Sequence, residues 1–146
     1  MGDLPDSLTG RTAFLLRLVT ARAEEMGEEA LRDEGVSGRE YGVLELLAHR
    51  SPRTQIDLGR ELHIDRTTGA ALLAGLEARG LVHRTVDPAN RRANLVTLTA
   101  AGETLRARAS SVLAACDDRF QARLSAGERA AMRAMLHRLL DDRVGG

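Results

Sequence analysis

The sequence predicts a mainly α-helical fold carrying one small β-hairpin past its middle. Three observations predict it. Apolar residues recur three and four apart over most of the chain, the period of helices buried on one face. One stretch, 81–99, changes to β-branched runs on either side of a segment dense in turn formers. Ser, Thr or Asp stands just before most of the periodic runs, where a side-chain oxygen can satisfy the free amides of a helix start. The length, 146 residues, fits one domain with a core of its own.

The elements follow in order. Residues 10–34 read as a long helix with Phe14, Leu15, Leu18, Val19, Met26 and Ala30 at helical spacing, ended by Gly35. Ser37 and Glu40 form a capping box that opens a second helix, with Tyr41, Leu44, Leu47 and Ala48 on one side; Ser51-Pro52 breaks it. Thr54 caps a short helix over 55–62, with Ile56, Leu58 and Leu62 facing inward. Asp65 caps another over 66–79, which buries Ala70, Leu72, Leu73 and Leu76 and stops at Gly80. The tight connection His63-Ile64-Asp65 makes these two a helix-turn-helix candidate. Residues 81–86 and 94–99 are the hairpin strands, and 87–92 (Asp-Pro-Ala-Asn-Arg-Arg) is a basic tip. Thr99 caps a long helix to 123 whose stripe of Leu105, Ala109, Val112, Cys116 and Phe120 wants a partner helix. Ser125 and Glu128 form a second capping box before a last helix bearing Met132, Met135, Leu136, Leu139 and Leu140. Such apolar faces at both ends of a chain with a small central unit predict dimerisation through the termini.

Composition narrows the function. Apolar content of 43% and charged content of 29% are those of a folded domain, not a disordered chain. All 21 basic residues are Arg, permanently charged forks suited to phosphate or guanine. They are balanced by 21 acids, but unevenly: residues 1–48 hold 5 Arg and 10 acids, residues 49–92 hold 8 Arg and 5 acids. The basic excess falls on the helix-turn-helix and the hairpin. The only aromatics are Phe14, Tyr41 and Phe120, which argues against stacking on single-stranded bases. Cys116 is the only cysteine, so no intrachain disulfide forms. The start has no leader pattern and no apolar run spans a membrane, so a cytoplasmic location is expected. His49, His63, His83 and His137 are scattered, and no metal-ligand, phosphate-loop or nucleophile motif appears. No enzyme, metal or cofactor is expected.

Residues 55–102 resemble the winged helix-turn-helix of the MarR family of bacterial transcription regulators. Thr54-Gln-Ile-Asp-Leu-Gly-Arg-Glu-Leu62 is similar to the first helix of the family's motif. Ile64-Asp-Arg-Thr-Thr68, Leu72-Leu73 and Leu76-Glu-Ala-Arg-Gly-Leu-Val82 are similar to its recognition helix and exit. The tip 87–92, with Val96-Thr-Leu-Thr-Ala-Ala-Gly102, is similar to its wing and return strand. The flanking helices match in length, order and amphipathicity. The resemblance implies one domain, 1–146, in which 10–36 and 99–146 dimerise and 37–98 is the DNA-binding lobe. It implies a homodimeric repressor of a pseudo-palindromic duplex site. It implies a small organic effector, often aromatic, between the dimer helices and the lobe. Candidate lining residues are Leu15, Val19, Met26, Tyr41, Leu44 and Leu113, which read first as core and dimer contacts. It also implies that Asp87 pairs with Arg92 to shape the wing.

The physics of groove reading leads to the same residues. A recognition helix presents its N-terminal side chains to the major groove, here Arg66, Thr67 and Thr68. An arginine bridges guanine O6 and N7, and a threonine methyl packs on thymine. Arg53, Thr54 and Gln55 stand where phosphates are held, and Asn90 and Arg91, with Arg92 beside them, where a narrow minor groove is entered. Departures from the family pattern are Ala71 and Gly75, where basic or polar residues are common, and Gly69, where a β-branched one is. Each helical glycine costs about 1 kcal/mol relative to Ala. Two other readings stay open: a protein-interaction winged helix without base readout, and a small-molecule sensor whose main event is ligand capture. Cys116 lies on the apolar stripe, not in the first long helix where the family's peroxide sensors carry theirs, and reads as a buried thiol.

Overall fold

The computed structural model describes residues 4–141; residues 1–3 and 142–146, the last of these ending the region expected to dimerise, lie outside the described residues. The elements are α1 (Asp6–Thr9), α2 (Thr12–Leu31), a 3-10 turn (Arg32–Glu34), α3 (Gly38–His49), β1 (Arg53–Thr54), α4 (Gln55–Glu61), α5 (Arg66–Ala78), β2 (Val82–Val86), β3 (Asn94–Leu98), α6 (Ala100–Phe120) and α7 (Ala126–Leu140). The expected first helix is divided. Gly10 separates α1 from α2, and the chain tightens to 3-10 geometry after Leu31 before Gly35 turns it at φ 66°.

Local capping sets most of the starts. Ser37 and Ser125 each accept from the amide of a glutamate three residues on, and that glutamate accepts in return from the serine amide. Thr54, Asp65 and Thr99 accept from Asp57, Thr68 and Gly102 amides. Each side chain replaces a partner that the first helical turn lacks.

The hairpin is antiparallel, with Val82 opposite Leu98, Arg84 opposite Val96 and Val86 opposite Asn94. A third strand, β1, pairs with the other edge of β3, Arg53 opposite Val96 and Thr54 opposite Leu95, giving the order β1-β3-β2. The core gathers Leu31, Val43, Leu44, Leu47, Leu58, Leu73, Leu76, Val82, Val96, Leu105 and Ala109. Ala48 stays in solvent. Ile56 does too, 56% exposed, against the expectation that it faces inward. Buried Leu58 and half-buried Leu62 fix the inner face of α4. Ile56, two residues before Leu58, points about 200° round the helix from it.

The α6 stripe finds its partner in the same chain, against α2. Leu105, Ala109 and Cys116 are buried. Arg106 ties α6 to α3 through Glu45 at 3.0 Å, and Arg108 reaches Glu34 at 3.0 Å. The end of α5 is bound to the start of α6. Gly80 turns the chain at φ 69°, the Thr99 amide donates to Leu81 O at 3.1 Å, and the Thr99 hydroxyl donates to Gly80 O at 2.6 Å. At the two ends apolar side chains face solvent: Leu8, Leu15, Leu16 and Val19 near the start, and Met135, Leu136, Leu139 and Leu140 on α7, a helix that buries no residue. No helix among the described residues is long and apolar enough to cross a membrane.

Candidate nucleic-acid interface

Two short helices joined by a tight turn build the site. The Ile64 amide donates to Gly59 O at 2.9 Å, and His63 takes a positive φ of 52°. A Cβ on Gly59 would meet Ile64 O at 3.2 Å, so this close crossing suits glycine. The turn sets α5 across α4 with its N-terminal residues outward. There Asp65 accepts from the Thr68 amide at 2.9 Å and from the Thr68 hydroxyl at 2.6 Å. Those bonds hold the Asp65 carboxyl below the usual range. They also direct the Thr68 hydroxyl back to its own cap. Arg66 and Thr67 remain exposed, and Ala71, Ala74, Gly75 and Ala78 follow on the Thr67 side of α5.

Two residues expected to hold phosphate are engaged inside the lobe. The Thr54 hydroxyl accepts from the Asp57 amide at 3.1 Å and donates to the Asp57 carboxylate at 2.7 Å. Arg53 is ion-paired with Glu61, and its Nε is buried without an acceptor. Pairing of Arg53 to β3 through the backbone points its side chain at the end of α4, which sequence spacing does not reveal.

The wing is shaped differently from the expectation. No ion pair joins Asp87 and Arg92. Asp87 instead accepts from the Ala89 amide at 2.9 Å, and Asn90 accepts from the Arg92 amide at 3.2 Å. Two local side-chain turns therefore fold the tip, and Asn90 is the residue that ties down Arg92. Among residues 49–92, Arg53, Arg60, Arg79 and Arg84 lie in ion pairs. Arg50, Arg66, Arg91 and Arg92 do not, and all four are exposed; the last three stand at the α5 start and on the wing tip. Arg66 and Arg92 line one cleft of about 370 Å³ together with Gln55, Ile56, Arg60 and Asn94. Ile56 and Arg60 were missed as site residues. Their spacing of four on a two-turn helix whose other face carries Leu58 and Leu62 was the available signal.

Few of the residues expected to line an effector pocket meet at one cavity. A cavity of about 620 Å³ opens between α2, the start of α3, the turn after α4, and α6. Ala23, Gly27, Leu31, Leu62, Ile64 and Leu113 line it, with Glu24, Glu28 and Arg39 as its charged groups. Of the six residues proposed, Leu113 alone lines it. Leu44 is fully buried in the core, and Leu15 and Val19 are exposed on α2. Met26 is half-buried and does not line it. Tyr41 is half-buried beside Ser110 and Glu45, where burial raises its phenol pKa.

The family model described as MarR family matches residues 34–93. The HTH-type transcriptional repressor Mb2911 of Mycobacterium bovis is 30% identical over 142 residues, which is 97% of this chain and 100% of that protein. The chain belongs to the MarR family. The transcriptional repressor CouR bound to a 23-mer DNA duplex is similar at a TM-score of 0.87 and 28% identity, covering 95% of this chain and 99% of CouR. BpsR of Bordetella bronchiseptica, from a study of the regulation of its DNA binding by 6-hydroxynicotinic acid, is similar at 0.81 and 26% identity, over 88% and 98% of the two chains. These relatives are transcription regulators. The span matched to the MarR family contains the whole α4–α5 pair and the wing tip, and it stops before α6 and α7.

Proposed function

We propose that this MarR-family chain is a homodimeric, ligand-responsive repressor that binds duplex DNA through α5 and the wing. The observation that carries the reading is the set of unpaired, exposed arginines, Arg66, Arg91 and Arg92, on the face of the α5 N-terminus and wing, while neighbouring Arg53, Arg79 and Arg84 are neutralised by Glu61, Glu40 and Glu77. In this reading Arg66 bridges a guanine in the major groove and the Thr67 methyl packs on a thymine. Arg91 enters the adjoining minor groove beside Asn90. Gln55 faces a phosphate. Arg53, Thr54 and Thr68 hold the lobe in shape rather than touching DNA.

Dimerisation rests on α7. A 15-residue helix with no fully buried residue, half-burying only Arg129 and Met132, with Leu139 67% and Leu140 79% exposed, calls for a partner surface. The exposed leucines of α1 and α2 in a second copy supply one of matching chemistry. Two recognition helices then meet successive major grooves about 34 Å apart. The cavity between α2, α6 and the turn after α4 touches both parts of the subunit, so a ligand seated there favours one spacing of the lobes over another.

Selection of bound duplexes from a random pool tests the reading. A two-fold symmetric consensus is expected. Arg66→Ala is expected to relax one base position at a cost of about 1–3 kcal/mol, and Arg91→Ala to weaken all sequences alike. No enrichment at low salt refutes DNA binding, and a monomer by light scattering refutes the dimer.

A further inference from the structure

Arg92 reaches the cleft from the wing side and Arg60 from the outer face of α4. Arg92 is in no ion pair, and Arg60 is in a weak one. Arg92 has no carboxylate partner, because Asp87 is turned onto the Ala89 amide. Arg60 meets Asp57 at 3.6 Å with its side chain 75% exposed, a surface pair that an arriving anion readily displaces. Asp65, the one carboxylate lining the cleft, has its oxygens occupied by the Thr68 amide and hydroxyl. With Arg66 on the same cleft, three arginines line a space that Gln55 and Asn94 line as well. Such a concentration of one charge favours an anion between them.

We infer that Arg60 and Arg92 close on a single backbone phosphate of the bound duplex, a clamp joining the first helix of the motif to the wing and leaving Arg66 free for the base edge. The inference rests on the DNA-binding reading above. The first helix of a helix-turn-helix crosses the backbone while the second lies in the groove, so a cleft walled by α4 meets phosphate rather than bases. The clamp gives Arg92 a role in contact rather than in shaping the wing. It also fixes the wing relative to α4 only when DNA is present.

The test uses the full chain and the duplex recovered by selection, with single neutral methylphosphonate linkages walked along one half-site. One linkage is expected to weaken the wild type about tenfold. Arg60→Ala, Arg92→Ala and the double variant are expected to be insensitive at that linkage, while Arg66→Ala keeps the wild-type sensitivity there. Either single variant should lower the salt slope of binding by about 1, and the double by about 1 rather than about 2. Additive losses, or loss of sensitivity at two different linkages, overturn the clamp and leave DNA binding standing. Failure of the wild type to bind any duplex overturns the regulator reading and the clamp with it. Thermal melts of the free protein should be equal in inorganic phosphate and chloride of matched ionic strength. A phosphate-specific stabilisation lost in both variants would assign the cleft to a free anion instead. Unchanged circular dichroism of the variants excludes misfolding, since both side chains are exposed.

Discussion

Gly102→Ala is expected to destabilise this protein although it replaces a helical glycine. In an open helix the change stabilises by about 1 kcal/mol. Here a Cβ would stand 2.1 Å from Leu81 O and 2.7 Å from the Leu98 Cδ1, and only the second can swing away. Ordinary contact begins near 3.4 Å, so the start of α6 must move about 1.3 Å from the end of α5. That movement strains or breaks the bonds from the Thr99 amide to Leu81 O and from the Thr99 hydroxyl to Gly80 O. Two hydrogen bonds at about 1 kcal/mol each, with overpacking of about 1–3 kcal/mol, outweigh the helix gain and leave a net loss of about 2–4 kcal/mol. Urea unfolding of both proteins at one protein concentration gives the difference in free energy. Operator affinity should fall as well, because the chain leaving α5 is held to the start of α6 through this joint. A variant as stable as the wild type, or more so, would refute the steric argument.

Three further outcomes follow from the site. Arg53→Ala should lower stability while leaving the salt slope of DNA binding unchanged, because Arg53 is paired with Glu61; a slope reduced by about 1 would make it a phosphate contact after all. Asp87→Asn should bind DNA within about twofold of the wild type, since asparagine also accepts from the Ala89 amide; a loss of tenfold would reinstate the Asp87–Arg92 ion pair. The Asp65 carboxyl is held below its usual value by Thr68, so its stabilising bonds are complete above the unfolded value, about 3.9, and are lost as pH falls through the lower folded value. Asp65→Asn, which still caps, should flatten part of the acid limb of a pH–stability curve; an unchanged limb would show that the cap does not titrate with folding.

The parts of the fold legible in the sequence are those decided within four residues. Ser37, Thr54, Asp65, Thr99 and Ser125 each cap the helix assigned to them, because a side-chain oxygen and an amide three residues on meet whatever the rest of the chain does. The hairpin was legible because its period is 2 and its tip is crowded with turn formers. What escaped depends on distant partners. Strand β1 is two residues long, too short for any period, and exists only because β3 lies beside it. Ile56 looked inward because apolar residues at 56, 58 and 62 do not all fit one face, and only tertiary packing chooses 58 and 62. The pairing of Arg53 with Glu61 spans the whole of α4. In the candidate site, Arg66, Arg91 and Arg92 were legible from motif position, whereas Arg60 and the committed state of Thr54 and Thr68 were not. The cavity between α2, α3, the turn after α4, and α6 was least legible, because a void is left by the spacing of four elements and no residue pattern encodes a gap.

A net charge of zero does not count against a DNA-facing surface, because charge acts where it is left unpaired. Acids of the lobe and its neighbours are spent on structure: Glu61 on Arg53, Glu77 on Arg84, Glu40 on Arg79, and Asp65 and Asp87 on backbone amides. After that pairing the α5 start and wing retain uncompensated guanidiniums at Arg66, Arg91 and Arg92. The segment 1–48 holds twice as many acids as arginines, and three of those acids, Glu34, Glu40 and Glu45, are spent in turn on Arg108, Arg79 and Arg106. A chain with that basic face approaches a polyanion with the face leading, which orients it and adds affinity. At high salt both effects are screened, so orientation and affinity should decline together. The zero is therefore a sum over a segregated surface, and segregation sets how the lobe meets DNA.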